Sequence, residues 1–218
     1  MTRTVSQPTA MQMAVRTALI LFAFVTVFTG LLSGAYFWTL PTIQAAASEE
    51  KMTLIDEVLP RSGYDNDLLH DTVEIAATPA LGQDGPTTAY RARQGDVAKA
   101  LVLEAIAPDG YGGKIRMIVA LAPDSTVLGV RVTQHKETPG LGDYVDPKKD
   151  KNKARPWITQ FDGQNPTTMD ERAWKVKKDG GRFDSVAGAT VTPRAVVKAV
   201  RKAALFVAEN RDTLFARP

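Results

Sequence analysis

The chain has 218 residues, with 27 Lys and Arg, 24 Asp and Glu, two His and no Cys. The absence of Cys excludes disulfides, thiolate-ligated zinc, Cys-ligated iron–sulfur clusters and c-type haem attachment. A net charge of +3, with no long basic run, argues against a nucleic-acid partner. Residues 1–40 hold two of the cations and none of the acids, so the remainder carries 25 positive and 24 negative charges and is nearly neutral.

An uncharged segment covers residues 17–48, and residues 18–40 within it are mostly Leu, Ile, Phe, Val and Ala. At about 1.5 Å per residue, this length can cross a hydrocarbon core about 30 Å thick. Arg3 and Arg16 precede the segment, and the residues just after it are uncharged up to Glu49. The positive-inside rule therefore predicts that residues 1–17 are cytoplasmic, residues 18–40 span the bilayer and the rest lies on the opposite side.

A cleaved signal peptide is the alternative, since Ala45, Ala46 and Ala47 resemble a cleavage site. The apolar core of a signal peptide is usually only about 7–15 residues long. The longer segment here favours a permanent anchor.

Residues 41–86 are predicted to form a helical and linker region. Residues 49–59 place Met52, Ile55 and Leu59 at helical spacing, which predicts a short amphipathic helix that Pro60 ends. Residues 78–86 contain two Pro and two Gly and are predicted to form a loop.

Four segments rich in β-branched residues are predicted to be strands: 87–93, 100–107, 114–121 and 126–133. Pro108-Asp109-Gly110 and Pro123-Asp124-Ser125 suit tight reversals between the later strands. This close succession favours an antiparallel meander over βαβ repeats.

The segments that follow are less regular. The Lys-rich residues 146–155 are interpreted as a solvated loop in preference to a docking patch. Residues 157–161 predict a short buried turn, and 174–178 another strand. Trp157, Phe161 and Trp174 are predicted to pack in the core.

The last element is the clearest. Thr192 followed by Pro193 fits an N-cap with Pro at the first helical position. Val196, Val200, Ala203 and Val207 then fall on one face, which predicts an amphipathic helix from Pro193 to about Asn210 packed on the sheet. The predicted fold class is α+β: one transmembrane helix, then a mainly antiparallel-sheet domain over residues 87–218.

Residues 184–192, Asp-Ser-Val-Ala-Gly-Ala-Thr-Val-Thr, form a small-residue turn before this helix. Free amides and the helix dipole favour an anion at a helix N-terminus, and Thr190 and Thr192 add hydroxyls. A phosphate-bearing ligand is chemically plausible at this point, and a structural turn with a capped helix explains the same residues.

Residues 134–143 are a second polar and Gly-containing segment, directly after a predicted strand. Pro139, Gly140 and Gly142 define its loop. Such a loop is either a binding loop held by a rigid scaffold or a plain connection.

Asp184, Gly188, Ala189 and Thr190 resemble the attachment motif of proteins that carry FMN covalently through a phosphoester bond to threonine. His135-Lys136-Glu137-Thr138-Pro139-Gly140-Leu141-Gly142 resembles the second signature of the same family. With the single N-terminal anchor, the chain resembles the G-subunit family of Rnf ion-translocating electron-transport complexes. Ala187 departs from the motif, which often has Ser or Thr there.

The resemblance implies covalent FMN on Thr190, moved from FAD by a separate flavin transferase outside the cytoplasm. It implies a bacterial inner-membrane protein with a periplasmic domain, which relays electrons beside other membrane subunits and is not a complete enzyme alone. No catalytic residue and no metal ligand is expected. The expected cofactor-binding residues are Thr190, Asp184, Ser185, Gly188, Ala189, Thr192, Glu137, Thr138, Gly140 and Leu141.

Two alternatives remain at this point. One is the C subunit of the sodium-pumping NADH:quinone reductase, which has the same anchor and attachment chemistry. The other is a cofactor-free anchored binding or scaffold protein, in which the small-residue turn is only structural.

Overall fold

The computed structural model describes residues 9–216, so Arg3 and the rest of residues 1–8 of the predicted cytoplasmic segment lie outside the described residues. Helix α1, Ala10–Asp56, contains the predicted membrane-spanning segment and is long and apolar enough to cross a membrane. Thr26 and Thr39 donate side-chain hydrogen bonds to the carbonyls of Phe22 and Ala35. These bonds give each hydroxyl a hydrogen-bond acceptor, which the apolar core of a bilayer does not offer.

The prediction of a separate short helix at 49–59 is wrong, since these residues continue α1 and the helix ends at Asp56. Residues 42–48 contain three Ala and no Gly, so little in their sequence favours a break. Ile55 and Leu59 are buried, as their spacing predicted.

Within the described residues, the chain from Lys51 onward forms a compact unit built on a five-stranded antiparallel sheet, in which each strand pairs with the next along the chain. The predicted meander is confirmed, and the strands are β1 Thr72–Ile75, β2 Thr87–Gln94, β3 Val97–Gly110, β4 Gly113–Leu121 and β5 Val127–Gln134. β1 was not predicted. The turn predicted at Pro108–Gly110 lies within β3 instead, because Gly110 pairs with Gly113 and moves the reversal to Tyr111 and Gly112.

Both faces of the sheet are covered. Helix α2, Val191–Glu209, packs on β3 and β4 through the apolar face predicted from the sequence, with Val196, Val200, Ala203 and Val207 fully buried. Burial of each of the three valines contributes about 1.5–3 kcal/mol. On the other face, residues 55–68 supply a second cluster of Ile55, Val58, Leu59 and Leu68. A four-residue helix α3, Arg211–Leu214, follows α2.

The chain between β5 and α2 is irregular and contains three short 3₁₀ helices, Asp143–Val145, Trp157–Phe161 and Lys177–Asp179. Trp157, Phe161 and Trp174 are buried, which confirms them as core residues. The strand predicted at 174–178 is wrong: only an isolated bridge joins Val176 to Phe183. The chain enters the 3₁₀ helix Lys177–Asp179 directly after Val176, so no longer ladder forms.

Candidate functional site

The two segments singled out in the sequence meet at the N-terminus of α2. The Glu137 carboxylate is buried, at 5% exposure, and it accepts a hydrogen bond from the Thr192 hydroxyl through Oε2. Its other oxygen, Oε1, accepts the backbone N–H of Gly112 at 3.0 Å. One side chain therefore links the 134–143 loop to the β3–β4 turn and to the first turn of α2.

Glycines pack closely around this carboxylate. A Cβ on Gly142 would lie 2.7 Å from Glu137 Oε2 and 2.6 Å from Thr192 Oγ1. A Cβ on Gly110 would lie 2.8 Å from Glu137 Oε1, and one on Gly112 would lie 2.0 Å from the Lys136 carbonyl oxygen. The close approach of three chain segments here requires residues without a side chain.

The prediction that Thr192 caps α2 is wrong. The helix begins at Val191, Thr190 is its N-cap residue, and the Thr190 side chain makes no capping hydrogen bond. Thr192 already lies in the first helical turn and donates its hydroxyl proton to Glu137. The sequence pattern could not show this, because the partner is 55 positions away.

The segment before α2 forms a tight turn. Val186 and Ala189 pair as an antiparallel bridge, with the Ala189 N–H donating to the Val186 carbonyl at 3.0 Å and Gly188 at φ +83°. The Tyr144 hydroxyl contacts both ends of this turn: it accepts the Val186 N–H and donates to the Ala189 carbonyl, each at 3.3 Å. Burial raises the pKa of Tyr144, so its hydroxyl stays protonated and able to donate.

Thr190 follows this turn and is 6% exposed. Within α2 the amides of Val191 and Thr192 have no carbonyl partner, and Pro193 has no N–H. The first backbone bond is from the Arg194 N–H to the Thr190 carbonyl, at 3.2 Å. The side chain of Thr190 therefore lies at the positive end of a 19-residue helix.

A cleft of about 700 Å³ lies beside the turn. Of the predicted site residues, Gly140, Leu141 and Asp184 line it. The other seven do not: Glu137, Thr138, Ser185, Gly188, Ala189, Thr190 and Thr192. The predicted residues thus fall mainly into three groups. One group lines the cleft, the second is the buried hydrogen-bonded pair Glu137 and Thr192, and the third forms the turn that leads to Thr190.

Asp184 is held to the 3₁₀ helix Trp157–Phe161 by its backbone. Its carbonyl accepts Trp157 Nε1–H at 2.6 Å, and its N–H donates to Gln160 Oε1 at 2.7 Å. The Asp184 carboxylate pairs with Lys177 Nζ at 2.5 Å. The first residue of the motif therefore positions the start of the turn through the backbone, and its side chain remains at the surface.

Several residues of the site were not predicted to belong to it. Tyr144 and Trp157 form its buried wall, with ring centroids 5.7 Å apart at 83°. Lys149, Lys151 and Arg155 of the exposed loop 146–155 line the rim. The aromatic residues themselves were the available signal in the sequence, but core packing explains the same residues.

Among residues 9–216, no group of three His, Cys, Asp or Glu side chains could hold a metal ion. His135 accepts the Glu137 N–H through Nδ1 at 3.1 Å. This contact shapes the loop that presents Glu137.

Comparison with known proteins places the site in a family. Residues 110–205, which include both loops, the cleft and the first part of α2, match the FMN-binding domain family. The chain is 41% identical to the G subunit of the ion-translocating oxidoreductase complex of Pseudoalteromonas atlantica, over 94% of this chain and 93% of that protein. It is 44% identical to the corresponding G subunit of Pseudomonas aeruginosa, over 92% of each chain. The chain belongs to this G-subunit family.

Membership of the G-subunit family confirms the resemblance found in the sequence. A crystal structure of Shewanella oneidensis NqrC is also similar, with 24% identity and a TM-score of 0.44 over 71% of each chain.

The residues at the N-terminus of α2 fit the flavin phosphate that an FMN-binding domain holds. The Thr190 hydroxyl is not used as a helix cap, and the helix presents unpaired amides beside it. A Cβ on Gly188 would meet nothing within 4 Å, so the tip of the turn beside Gly188 is open.

Proposed function

We propose that this chain is a membrane-anchored flavoprotein subunit of an ion-translocating electron-transport complex, with FMN joined to Thr190 by a phosphoester bond. The observation that carries the proposal is the position of Thr190, a threonine with an uncommitted hydroxyl at the N-terminus of α2 inside an FMN-binding domain. The curated relatives are subunits of a complex, which supports the same role here.

When bound, FMN supplies one- and two-electron transfer that no amino-acid side chain of this Cys-free chain provides. The chain's own contribution is attachment and electrostatics. Thr190 Oγ1 forms the new bond to phosphorus, the bond between that phosphorus and the AMP part of FAD breaks, AMP leaves, and the hydroxyl proton passes to water. The first-turn amides of α2 then offset the charge of the phosphate diester.

Covalent attachment suits a domain outside the cytoplasm, since a flavin held only by contacts is lost there by dilution. The distribution of charge around α1 favours this orientation: Arg16 precedes the apolar segment, and Glu49 and Glu50 follow it. The proposed partners are the other membrane subunits of the complex, the lipid bilayer around residues 18–40, and a flavin transferase during maturation.

Flavin attachment is tested by co-expressing the chain with a flavin transferase and viewing a denaturing gel under ultraviolet light before staining. A fluorescent band, with an intact mass increased by one FMN less one water, is expected. Thr190→Val should remove both signals, and Thr88→Val, at an exposed threonine of β2, should keep them. If the wild-type band is dark although the transferase is active on a control protein, the chain would instead be the cofactor-free anchored binding or scaffold protein.

The same intact mass tests the anchor, because cleavage near Ala45–Ala47 would remove the apolar segment. Orientation is tested with single cysteines, since the natural chain has none. Lys178→Cys, at an exposed position, should react with a membrane-impermeant maleimide in intact cells. Gln7→Cys, before the anchor, should react only after the inner membrane is lysed, and the reverse pattern would contradict the periplasmic assignment.

A further inference from the structure

The proposed acceptor is too enclosed for the reaction that it must undergo. Thr190 is 6% exposed, and Ala189 before it is 8% exposed. A second protein that holds FAD has to bring a phosphorus atom in line with the Thr190 oxygen, which requires free space on the approach side.

The turn that encloses Thr190 is held weakly. Val186, Ala187 and Gly188 are exposed and Ala189 is the one buried residue of the turn, so apolar burial contributes little to closing it. Between the described residues, the backbone of 185–189 makes one internal hydrogen bond, from Ala189 to Val186. The Tyr144 hydroxyl makes the only side-chain hydrogen bonds to the backbone of residues 185–190 within the described part of the chain.

Tyr144, in contrast, is firmly held. It lies in the 3₁₀ helix Asp143–Val145, is 9% exposed and packs edge-on against Trp157. Trp157 in turn holds Asp184, just before the turn, through the Asp184 carbonyl. The residue that leads into the turn and the start of α2 are thus fixed, and the segment between them is held by one internal backbone hydrogen bond and by the Tyr144 hydroxyl.

We propose that Tyr144 is a positioning residue that clamps the acceptor turn shut, and that the Val186–Ala189 turn must open from Tyr144 before Thr190 can accept a flavin. This inference rests on the proposed function of Thr190. According to this inference, the turn opens locally before the flavin is attached, either on its own or when the transferase binds. After attachment, closure of the same turn would shield the phosphoester bond from water.

The test uses Tyr144→Phe, which keeps the ring and removes only the hydroxyl. The full-length unloaded chain, purified in detergent from cells without transferase, is compared with this variant by hydrogen exchange and by timed loading with transferase and FAD, read by intact mass. We expect exchange of the Val186 and Ala189 amides to rise about three- to tenfold, as loss of the two weak hydrogen bonds of the Tyr144 hydroxyl implies. We expect initial loading at limiting transferase to rise by a similar factor.

Tyr111→Phe is the matched control, since Tyr111 is 72% exposed in the β3–β4 turn of the same domain. It should change neither rate. A merely structural role of Tyr144 would slow loading or leave it unchanged, so either result in a folded Tyr144→Phe overturns the clamp.

A wild-type measurement keeps the clamp testable if Tyr144→Phe does not fold. In the unloaded wild-type chain, the Val186 and Ala189 amides should exchange faster than the amides of β3, through local opening. If both sets exchange only through global unfolding, the clamp is wrong. Failure of the wild-type chain to gain any flavin removes the proposed function itself, whereas normal loading with an unaltered Tyr144→Phe rate removes only the clamp.

Discussion

Glu137 and Thr192 are joined by a buried hydrogen bond although 55 positions separate them in the chain. The bond commits the Thr192 hydroxyl to a carboxylate and leaves Thr190, two residues earlier, with an uncommitted hydroxyl. The two threonines of the segment therefore have different tasks: one fixes α2 against the 134–143 loop, and the other is the proposed acceptor.

Substitution of the two threonines separates these tasks. Thr192→Val leaves a buried carboxylate oxygen without its donor, so the free energy of unfolding should fall by about 1–3 kcal/mol. Flavin attachment should survive at a permissive temperature, because the acceptor oxygen is intact. Thr190→Val should abolish attachment with little loss of stability. Thermal denaturation and intact mass measure both effects.

Thr192→Ser restores the hydroxyl and is the control for the first variant. It should recover most of the lost stability. If Thr192→Val, rather than Thr190→Val, removed the flavin from a folded chain, the assignment of the two residues would be reversed.

The sequence predicted the sheet, its meander and α2 because these depend on local periodicity. It missed β1, since Thr72–Ile75 has only four residues and a single buried side chain. It also predicted a strand at 174–178, where the 3₁₀ helix Lys177–Asp179 begins instead. Both errors come from short segments in which tertiary pairing decides the conformation.

The candidate site shows the same division. The two loops were found from their glycines and small residues, but their meeting at Glu137 depends on long-range contacts. Tyr144 was missed because a lone tyrosine after a loop gives no sequence signal of the turn that it holds. The attachment of FMN to Thr190 remains a prediction.

Gly140 and Gly142 are equally permissive residues in the sequence, yet alanine should affect them differently. Gly140 has φ +75° with no neighbour within 4 Å of an added Cβ, so Gly140→Ala should cost about 1 kcal/mol of backbone strain. Gly142→Ala places a Cβ against Glu137 and Thr192 and should cost about 1–3 kcal/mol through overpacking. Urea unfolding of both variants tests the order, and an equal cost would argue against the close packing.

Asp71 anchors the C-terminal end of the chain through two buried arginines. Its carboxylate pairs with Arg91 Nε and Arg93 Nε, each at 2.7 Å, and both guanidinium groups also donate to the Ala216 carbonyl. Asp71→Asn leaves two buried cations without their counter-charge, so the free energy of unfolding should fall by about 3 kcal/mol.

The control for Asp71→Asn is Asp84→Asn, at an ion pair with Lys114 whose side chains are largely exposed. Exposed pairs contribute little, so this variant should unfold at an unchanged denaturant concentration. Similar losses in the two variants would show that burial of the arginines is not the source of the effect.

Acid should weaken the ion pair between Asp179, in the 3₁₀ helix Lys177–Asp179, and Arg194 of α2. The Arg194 guanidinium donates two hydrogen bonds to Asp179 and lowers the pKa of that carboxyl. The pKa of Asp179 is lower in the folded chain than in the unfolded chain, where it is about 4. The ion pair therefore stabilises the folded chain fully above the unfolded pKa. This stabilisation is lost as the pH falls through the folded pKa. The melting temperature of Asp179→Asn should therefore lie below that of the wild type at pH 7 and approach it at lower pH.

Arg194→Gln removes the same ion pair from the other side and should show the same convergence with falling pH. The double variant should lose no more stability than either single variant, because only one interaction is removed. If the wild type still melts at a higher temperature than Asp179→Asn at the lowest pH, by the same margin as at pH 7, Asp179 acts through packing. The ion pair with Arg194 would then not hold the 3₁₀ helix Lys177–Asp179 against α2.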